Sequence, residues 1–344
     1  MNTSATRIKI NYVIDMHGWV QDHRAAHLMR HQDRYDLKVM TMDRFLLLWR
    51  FGMLRRQPTF FCSWRSVHAA LLKSPRLFKD RHFEWFLGAV TSHSNIGGGL
   101  DPHNPIPNRT REEAYELATG LLRRFAVVTA NSRILQELLE PALPDILYCP
   151  TGVDTTFFTP ETRRRPFDPK EIRIGWVGKE RGPKNFAVVR AALDRLESEG
   201  PFKAHLIHID KSRTTTPLDA EQMRAYYGEI DFYLCASWNE GTPNPALEAG
   251  ASGVPVISTK VGNMRELIQP GINGLFVEPT VDNIVETISG LRDVGPARYD
   301  AMSSAMREEI VHNWAWPARI ANFTEALDRL VGATPTAARG VAAQ

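Results

Sequence analysis

Two glutamates, Glu240 and Glu248, stand eight positions apart in the stretch WNEGTPNPALEAGASGVPVIST. Apolar runs typical of strands lie on either side of it. Asn244 followed by Pro245 predicts the start of a helix, with the asparagine as N-cap and the proline at the first helical position, and Gly253 predicts the end of the helix. We therefore expect Glu240 in a loop before the helix and Glu248 just past its first turn.

The start of this helix is a candidate anion site. Free backbone N–H groups and the positive end of the helix dipole favour an anion there, above all a phosphate. The residues expected to line it are Glu240, Gly241, Thr242, Pro243 and Asn244. A carboxylate aimed at a phosphate would repel it, so the two glutamates are better explained as acceptors for hydroxyls on either side of a diphosphate. One would hold a ribose and the other a second sugar.

The cations that such a diphosphate needs are present in a second loop. The stretch WVGKERGPKN places Gly178, Lys179 and Lys184 between a predicted strand and a predicted helix. Flexible ammonium groups at that position can reach a diphosphate. Taken alone, the loop is typical of an ordinary surface. Together with the glutamate loop on the same sheet, it predicts a diphosphate site.

The elements that position these loops follow an α/β pattern, in which apolar runs alternate with helical stretches. The predicted strands are 8–14, 37–42, 58–64, 88–93, 126–131 and 145–150, followed by 172–178, 203–209, 230–237, 254–259 and 274–279. Helical segments fit between them, including one over about 185–199. The pattern predicts two α/β domains with parallel sheets and a cleft between the carboxyl ends of their strands, where such sheets bind ligands.

A proline- and arginine-rich stretch, TPETRRRPFDPKE, interrupts this pattern at 159–171 and is typical of a linker. At 344 residues the chain is also too long for one ordinary core. We therefore expect a first domain over 1–158 and a second from 159 onward. The tail over 332–344 lacks periodicity and bulk, which predicts disorder.

Composition excludes several classes of protein. With 43% hydrophobic and 24% charged residues, and no apolar run near a membrane span, the chain is expected to be a cytoplasmic globular protein without a signal peptide. Its three scattered cysteines predict neither a disulfide framework nor a structural zinc.

The two halves of the chain differ in charge. Residues 1–150 carry 20 Lys+Arg against 14 Asp+Glu, a net charge of +6, and the remainder carries 22 against 25, a net charge of −3. This asymmetry suits an anionic small molecule or an acidic membrane surface but not a nucleic acid, and an ordinary solvated surface explains it equally well.

The absence of two sequence motifs argues against a dinucleotide site and against a metal site. The loop after the first strand, DMHGWVQDH, has no GxGxxG, which disfavours a dinucleotide dehydrogenase. No DxD occurs, so the chain has no evident acidic clamp for a divalent ion. We therefore predict no metal requirement and no cofactor.

The stretch from Cys235 to Pro279 resembles the family 4 retaining glycosyltransferases of the GT-B type, which have two Rossmann-like α/β domains facing each other across a cleft. Glu240 and Glu248 match the family's pair of glutamates, and GVPVIST and GINGLFV match its next strand and turn. GWVGK and the second lysine are similar to the diphosphate loop, and VVTANS and ILYCPTGVD to the end of the first domain. The resemblance extends over about 126–330. NWAWPARIANFTEAL resembles a terminal helix, about 316–331, that returns to the first domain, leaving 159–315 as the second.

The resemblance implies a role for each matched residue. Glu248 would hold the ribose of a nucleotide sugar, Glu240 would contact the transferred sugar, and Lys179 and Lys184 would neutralise the departing diphosphate. The activity implied is transfer of a sugar, with retention of anomeric configuration, from a nucleoside diphosphate sugar to a hydroxyl acceptor. The leaving phosphate would accept the acceptor's proton. Biosynthesis of a bacterial polysaccharide, a glycolipid or a glycosylated natural product is the implied setting.

Two residues of the first domain also match. His93 occupies a strand end where the family often has a histidine near the sugar, although a structural role is equally consistent with its position. Gly18 would let the backbone approach the diphosphate. Departures from the family pattern include Thr151 in place of asparagine, Lys179 in place of arginine, and TPNP after Glu240. These departures bear on sugar contact more than on the diphosphate site.

Several alternatives remain open. The chain could bind nucleotide sugars without catalysis, or epimerise them as some GT-B relatives do. His23, His27 and His31 recur every four residues, which a solvated helix face explains better than a metal site. The segment RFLLLWRFGMLRR at 44–56 mixes arginines with large apolar residues. We interpret it as an ordinary buried helix, with docking at the inner face of an anionic membrane as the alternative.

Overall fold

The computed structural model describes residues 7–18, 20–54, 57–74, 89–92, 110–162, 165–180, 182–198, 203–211 and 219–333. These residues form two compact units. The first unit holds the described residues between 7 and 151 together with 319–333, and the second unit holds those between 152 and 318. Each unit is built on its own parallel sheet. The predicted fold class of two α/β, Rossmann-like units is therefore confirmed.

The first unit contains a six-stranded sheet in the order β2-β1-β3-β4-β5-β6, with every pairing parallel. Its strands are β1 Ile8–Ile14, β2 Tyr35–Thr41, β3 Thr59–Phe61, β4 Ala89–Ser92, β5 Val127–Ala130 and β6 Leu147–Tyr148. Its helices are α1 Val20–His31, α2 Met42–Arg50, α3 Trp64–Lys73, α4 Arg111–Leu122 and α5 Arg133–Leu139. Apolar side chains of α2 to α5 pack on one face of this sheet in a continuous core.

The second unit contains a five-stranded parallel sheet in the order β11-β10-β9-β7-β8. Its strands are β7 Glu171–Gly178, β8 Lys203–Asp210, β9 Phe232–Cys235, β10 Val256–Ser258 and β11 Gly274–Phe276. Its helices are α6 Phe186–Ser198, α7 Ala220–Tyr227, α8 Asn244–Ala251, α9 Met264–Leu267, α10 Val281–Gly290 and α11 Pro296–Glu309. Two separate apolar clusters cover the two faces of the sheet. Burial on both faces explains why these strands read as continuous apolar runs.

The first unit ends at Thr151, earlier than the boundary after Phe158 that the linker composition predicts. The amide of Val153 donates to the carbonyl of Trp314 at 2.9 Å, and the guanidinium of Arg307 donates to the carbonyl of Phe158 at 2.8 Å. These hydrogen bonds attach the segment to the second unit, ahead of the proline- and arginine-rich stretch.

The last helix, α12 Trp316–Ala333, begins in the second unit and continues in the first. Within the first unit, Phe323 lies under the guanidinium of Arg24, and Asp328 accepts a hydrogen bond from the Tyr35 hydroxyl. Disorder was predicted from residue 332 onward, but residues 332 and 333 still belong to helix α12. The rest of that tail lies outside the described residues.

The interpretation of 44–56 as an ordinary buried helix is wrong in part. Helix α2 buries Phe45, but Leu47 is 53% exposed and Phe51 and Met53, just beyond the helix, are 63% and 59% exposed. Several other apolar residues of the segment pack against the core only in part. In the part of the chain that the structure describes, no helix is long and apolar enough to cross a membrane.

Candidate functional site

The candidate site lies at the carboxyl edge of the second unit's sheet. Strands β8, β7, β9 and β10 are consecutive neighbours and parallel, so the loops that follow them are adjacent. Lys211 follows β8, Lys179 and Lys184 follow β7, Glu240 follows β9, and Thr259 follows β10. Four loops that are far apart in the sequence therefore contribute polar side chains to one edge.

Lys184 and Glu240 form an ion pair at this edge. The Lys184 ammonium donates to Oε1 of Glu240 at 2.7 Å, and the Ser237 hydroxyl donates to the same oxygen at 2.9 Å. The side chains are 26% and 15% exposed, so water screens the pair only in part. Burial opposes the charged form of Lys184, but the charge and hydrogen bond of Glu240 outweigh it and raise the pKa of the lysine. Lys184 is therefore held as a cation beside Glu240.

Two other predicted residues flank this pair. Gly178 is the last residue of β7, and the aliphatic chain of Lys184 passes close above it. Lys179 comes next and has an exposed side chain. The structure thus brings Gly178, Lys179, Lys184 and Glu240 to one edge of the sheet, where β7 and β9 end side by side.

Glu248 lies on α8 and is held by Tyr227 of α7, whose hydroxyl donates to Oε2 at 2.7 Å. Burial raises the pKa of Glu248, while the Tyr227 hydrogen bond and the charge of Lys211 act in the opposite direction. Lys211 is exposed overall. Loss of hydration around its ammonium group nevertheless lowers the pKa of the lysine, and the negative charge of Glu248 acts in the opposite direction. Glu248 is thus a half-buried carboxylate with a hydroxyl on one oxygen and a cation nearby.

The start of α8 differs from the prediction. The N-cap position is Pro243, and Asn244 makes no capping hydrogen bond. Neither Pro243 nor Pro245 has an N–H group, and the amide of Ala246 donates back to the carbonyl of Pro243 at 2.9 Å. The helix start therefore offers fewer free amides to an anion than expected. The predicted helix end at Gly253 is confirmed by its φ of +74° just after the helix.

The remaining residues of the glutamate loop are held by the loop after β10. The carbonyl of Gly241 accepts a hydrogen bond from the amide of Asn263 at 3.1 Å. A Cβ on Gly262, whose φ is +49°, would lie 2.1 Å from that same carbonyl oxygen. Thr242 is half-buried. Oδ1 of Asn244 is buried and has no hydrogen-bond donor among the residues that the structure describes.

The two candidates in the first domain are not brought into this site by any described contact. Gly18 has a φ of +74°, and its amide donates to the carboxylate of Asp22 at 2.9 Å. A diphosphate at this amide would have to displace that carboxylate. His93 lies outside the described residues. The roles given to Gly18 and His93 therefore stay predictions.

No group of three or more potential metal ligands occurs within the described ranges. The histidine repeat lies on α1, where the rings of His27 and His31 stack with their centroids 6.2 Å apart. The prediction of a metal-independent activity stays a prediction.

Sequence reasoning missed three residues of this site. Lys211 is the first residue after β8, so the strand-end rule that identified Lys179 applies to it too. Ser237 and Tyr227 carried no such signal: the serine precedes the glutamate loop, and the tyrosine is a buried helix residue whose hydroxyl finds Glu248 only in the folded chain.

The stretch that carries this edge is similar to known glycosyltransferases. Residues 169–293, which include both glutamates and all three lysines, match the family model described as "Glycosyl transferases group 1". A GDP-mannose-dependent alpha-mannosyltransferase of Corynebacterium glutamicum is 27% identical over 195 residues, which is 52% of this chain and 47% of that protein. The chain thus spans about half the length of the curated relatives it matches.

Solved structures show the same fold over almost the whole chain. Sucrose-phosphate synthase from Thermosynechococcus elongatus has a TM-score of 0.75 at 15% identity and covers 95% of this chain and 100% of its own. Anabaena HepE, solved in complex with UDP and glucose, has a TM-score of 0.66 at 13% identity and covers 94% of this chain and 100% of its own. The fold is therefore of the GT-B type.

Proposed function

We propose that this protein is a retaining, metal-independent glycosyltransferase that moves a sugar from a nucleoside diphosphate sugar to a hydroxyl acceptor. The observation that carries the proposal is the ion pair of Lys184 with Glu240, which lies on the same sheet edge as Glu248. The match of this unit to group 1 glycosyltransferases, and the use of GDP-mannose named for one relative, support it.

Charge development during the reaction fits these residues. Breaking the bond between an anomeric carbon and a diphosphate leaves negative charge on the phosphates, so preorganised cations lower the barrier. Lys184 and Lys179 would neutralise that charge without a divalent ion. The leaving phosphate would then take the proton of the acceptor hydroxyl as the new bond forms on the same face of the sugar.

The glutamates would bind the two ends of the donor. Glu240 uses Oε1 for Lys184 and Ser237, which leaves Oε2 for a hydroxyl of the transferred sugar. Glu248 would accept hydrogen bonds from the ribose. Gly241, Thr242, Pro243 and Asn244 would line the diphosphate at the helix start, Gly18 would let the backbone approach the diphosphate, and His93 would lie near the sugar.

Release of a nucleoside diphosphate tests the proposal. UDP- and GDP-sugars are first screened by thermal shift, because a specific ligand stabilises the fold by mass action. The bound donor is then incubated with a panel of glycan, lipid-linked and small-molecule acceptors. We expect nucleoside diphosphate and a glycosylated product, both lost in Glu240→Ala and Lys184→Ala. Conversion of the donor without acceptor would instead indicate an epimerase, and binding without turnover a non-catalytic protein.

We further propose that the first unit contacts an anionic membrane surface, as expected for an enzyme of glycolipid or polysaccharide synthesis at the inner face. Leu47 of α2 and Phe51, which follows the helix directly, are exposed, and so are Arg44 and Arg50 of the same helix. Apolar side chains flanked by cations suit the interface of anionic lipid.

Vesicle sedimentation tests this contact. We expect binding to phosphatidylglycerol vesicles but not to phosphatidylcholine vesicles, and its loss in the double variant Leu47→Ser, Phe51→Ser. Ile272→Ser, which removes an exposed apolar residue of the second unit, is the matched control. Equal binding to both kinds of vesicle, or to neither, would contradict the proposal.

A further inference from the structure

Tyr227 donates a hydrogen bond to the side chain of Glu248. The two lie 21 positions apart and on different helices, and the tyrosine hydroxyl donates to Oε2 at 2.7 Å. Among the residues that the structure describes, Tyr227 is the hydrogen-bonding partner of this carboxylate, and Oε1 accepts nothing. One oxygen is thus committed to the protein, while the other is available to a ligand.

The ring of Tyr227 is fixed by its surroundings. Its side chain is almost wholly buried, at 1% exposure. Phe158 contacts it edge-on, with the ring centroids 5.8 Å apart, and Tyr233 does so at 6.5 Å. A tyrosine packed on this many sides has little rotamer freedom. Its hydroxyl therefore presents one direction to the carboxylate, whether or not a ligand is bound.

We infer that Tyr227 is a positioning residue for the nucleoside end of the donor, setting the rotamer of Glu248 so that Oε1 meets the ribose hydroxyls. The inference rests on the proposed function, in which Glu248 holds a ribose. Tyr227 itself does not touch the ligand. If the role of the tyrosine were purely structural, removal of its hydroxyl would change neither the preference for ribonucleotides nor the pH dependence of their binding.

Because titratable groups surround Glu248, the proposed role of Tyr227 predicts a change in the pH dependence of ligand binding. The groups that face Glu248 are Tyr227 of α7, Lys211 after β8 and, at longer range, Tyr233 of β9. Burial raises the pKa of Glu248, and the Tyr227 hydroxyl and Lys211 both hold it down. Removing the hydroxyl should raise the pKa of Glu248 further. Protonation, which costs the carboxylate an acceptor position, should then weaken ligand binding at a higher pH than in the wild type.

The test compares Tyr227→Phe with Tyr226→Phe. Phenylalanine keeps the packing at both positions, and the Tyr226 hydroxyl serves only backbone carbonyls, those of Trp176 and Ile207. Calorimetry measures binding of UDP and GDP and of their 2′,3′-dideoxy analogues between pH 5 and 8. Loss of one hydrogen bond to a charged group should weaken ribonucleotide binding about tenfold in Tyr227→Phe.

The dideoxy analogues separate positioning from folding. They lack the hydroxyls that Glu248 would hold, so Tyr227→Phe should change their affinity little. The ratio of ribonucleotide to dideoxynucleotide affinity should therefore fall in Tyr227→Phe and stay at the wild-type value in Tyr226→Phe. The pH below which ribonucleotide affinity falls should be higher than in the wild type in Tyr227→Phe, and unchanged in Tyr226→Phe. In a Glu248→Gln background, Tyr227→Phe should add little further loss.

Three outcomes overturn the inference or its basis. An unchanged affinity ratio and pH profile in Tyr227→Phe would make the tyrosine structural, even if its thermal midpoint falls. Equal losses in Tyr226→Phe would show a general effect of weakening α7. If the wild-type protein binds neither UDP nor GDP, nor any of their sugars, the proposed function fails first. Wild-type binding with no difference between the variants overturns the role of Tyr227 alone.

Discussion

The aliphatic chain of Lys184 occupies the space that a side chain at Gly178 would need: a Cβ there would lie 2.3 Å from Cδ of the lysine. It would also lie 2.9 Å from the ring of Trp176, which is buried and cannot move aside. Lys184 must therefore shift if residue 178 carries a side chain, and we expect this shift to weaken its contact with Glu240. Even an alanine at position 178 should therefore disturb the site.

We expect Gly178→Ala to weaken binding of UDP or GDP about tenfold, the order of one charge-assisted hydrogen bond. Calorimetry with the two nucleotides measures it. Gly290→Ala is the control in the same unit, because a Cβ there meets no atom within 4 Å. If Gly178→Ala binds the nucleotides as tightly as the wild type, the present conformation of the Lys184 side chain is not required for binding.

The ion pair should be visible in a double-mutant cycle. Lys184→Met leaves Glu240 with Ser237 as its remaining donor, and Glu240→Gln leaves the ammonium without a counter-charge. If the pair is favourable, the double variant should be destabilised by less than the sum of the two single changes, with a coupling of about 1 kcal/mol because both groups keep some contact with water. Urea unfolding of the four proteins gives the coupling. Strict additivity would mean that the pair contributes nothing to folding.

The ionised carboxylate of Glu248 should lower the stability of the fold and strengthen nucleotide binding. Burial raises its pKa in the folded protein above the ordinary value of 4.5, so the folded state holds the proton more tightly than the unfolded state. Stability from this group is therefore greatest at low pH and falls as pH rises through the folded pKa. We expect Glu248→Gln to be more stable than the wild type at pH 7, with no advantage at pH 3, and to bind UDP or GDP at least tenfold more weakly.

Thermal unfolding at the two pH values and calorimetry measure these effects. Glutamine still accepts the Tyr227 hydroxyl, so packing is preserved. A Glu248→Gln variant that is less stable than the wild type at pH 7 would show that the ionised carboxylate is favourable in the fold.

Arg307 should matter for the stability of the second unit. Its guanidinium donates to the carbonyls of Thr155 and Phe158 in one segment and of Ala251 in another. Arg307→Met leaves these acceptors unpaired and should cost about 2 to 3 kcal/mol. Arg298→Met, which removes one exposed hydrogen bond to Gly271, should cost less than about 0.5 kcal/mol. Similar urea midpoints for the two variants would contradict this difference.

Strand positions were the most predictable part of the fold. The first strand was predicted over 8–14 and is found at Ile8–Ile14, and the others lie within a few residues of their predicted places. Parallel strands buried on both faces require uninterrupted apolar runs, which are visible in the sequence. The start of α8 was less predictable, because Asn244 and Pro243 are both acceptable N-terminal residues and local preference does not choose between them. The exposure of Leu47 and Phe51 was missed because it depends on what packs against α2.

The amino-acid sequence alone determined which residues stand at strand ends, because the end of an apolar run and the loop after it are local features. Lys179, Lys184 and Glu240 could be found in this way. The order of strands decided which of those loops are neighbours, and that order depends on contacts between distant segments that no local pattern encodes. Only the folded chain could therefore set Lys184 against Glu240, 56 positions away, place Tyr227 on Glu248, and bring Lys211 to the same edge.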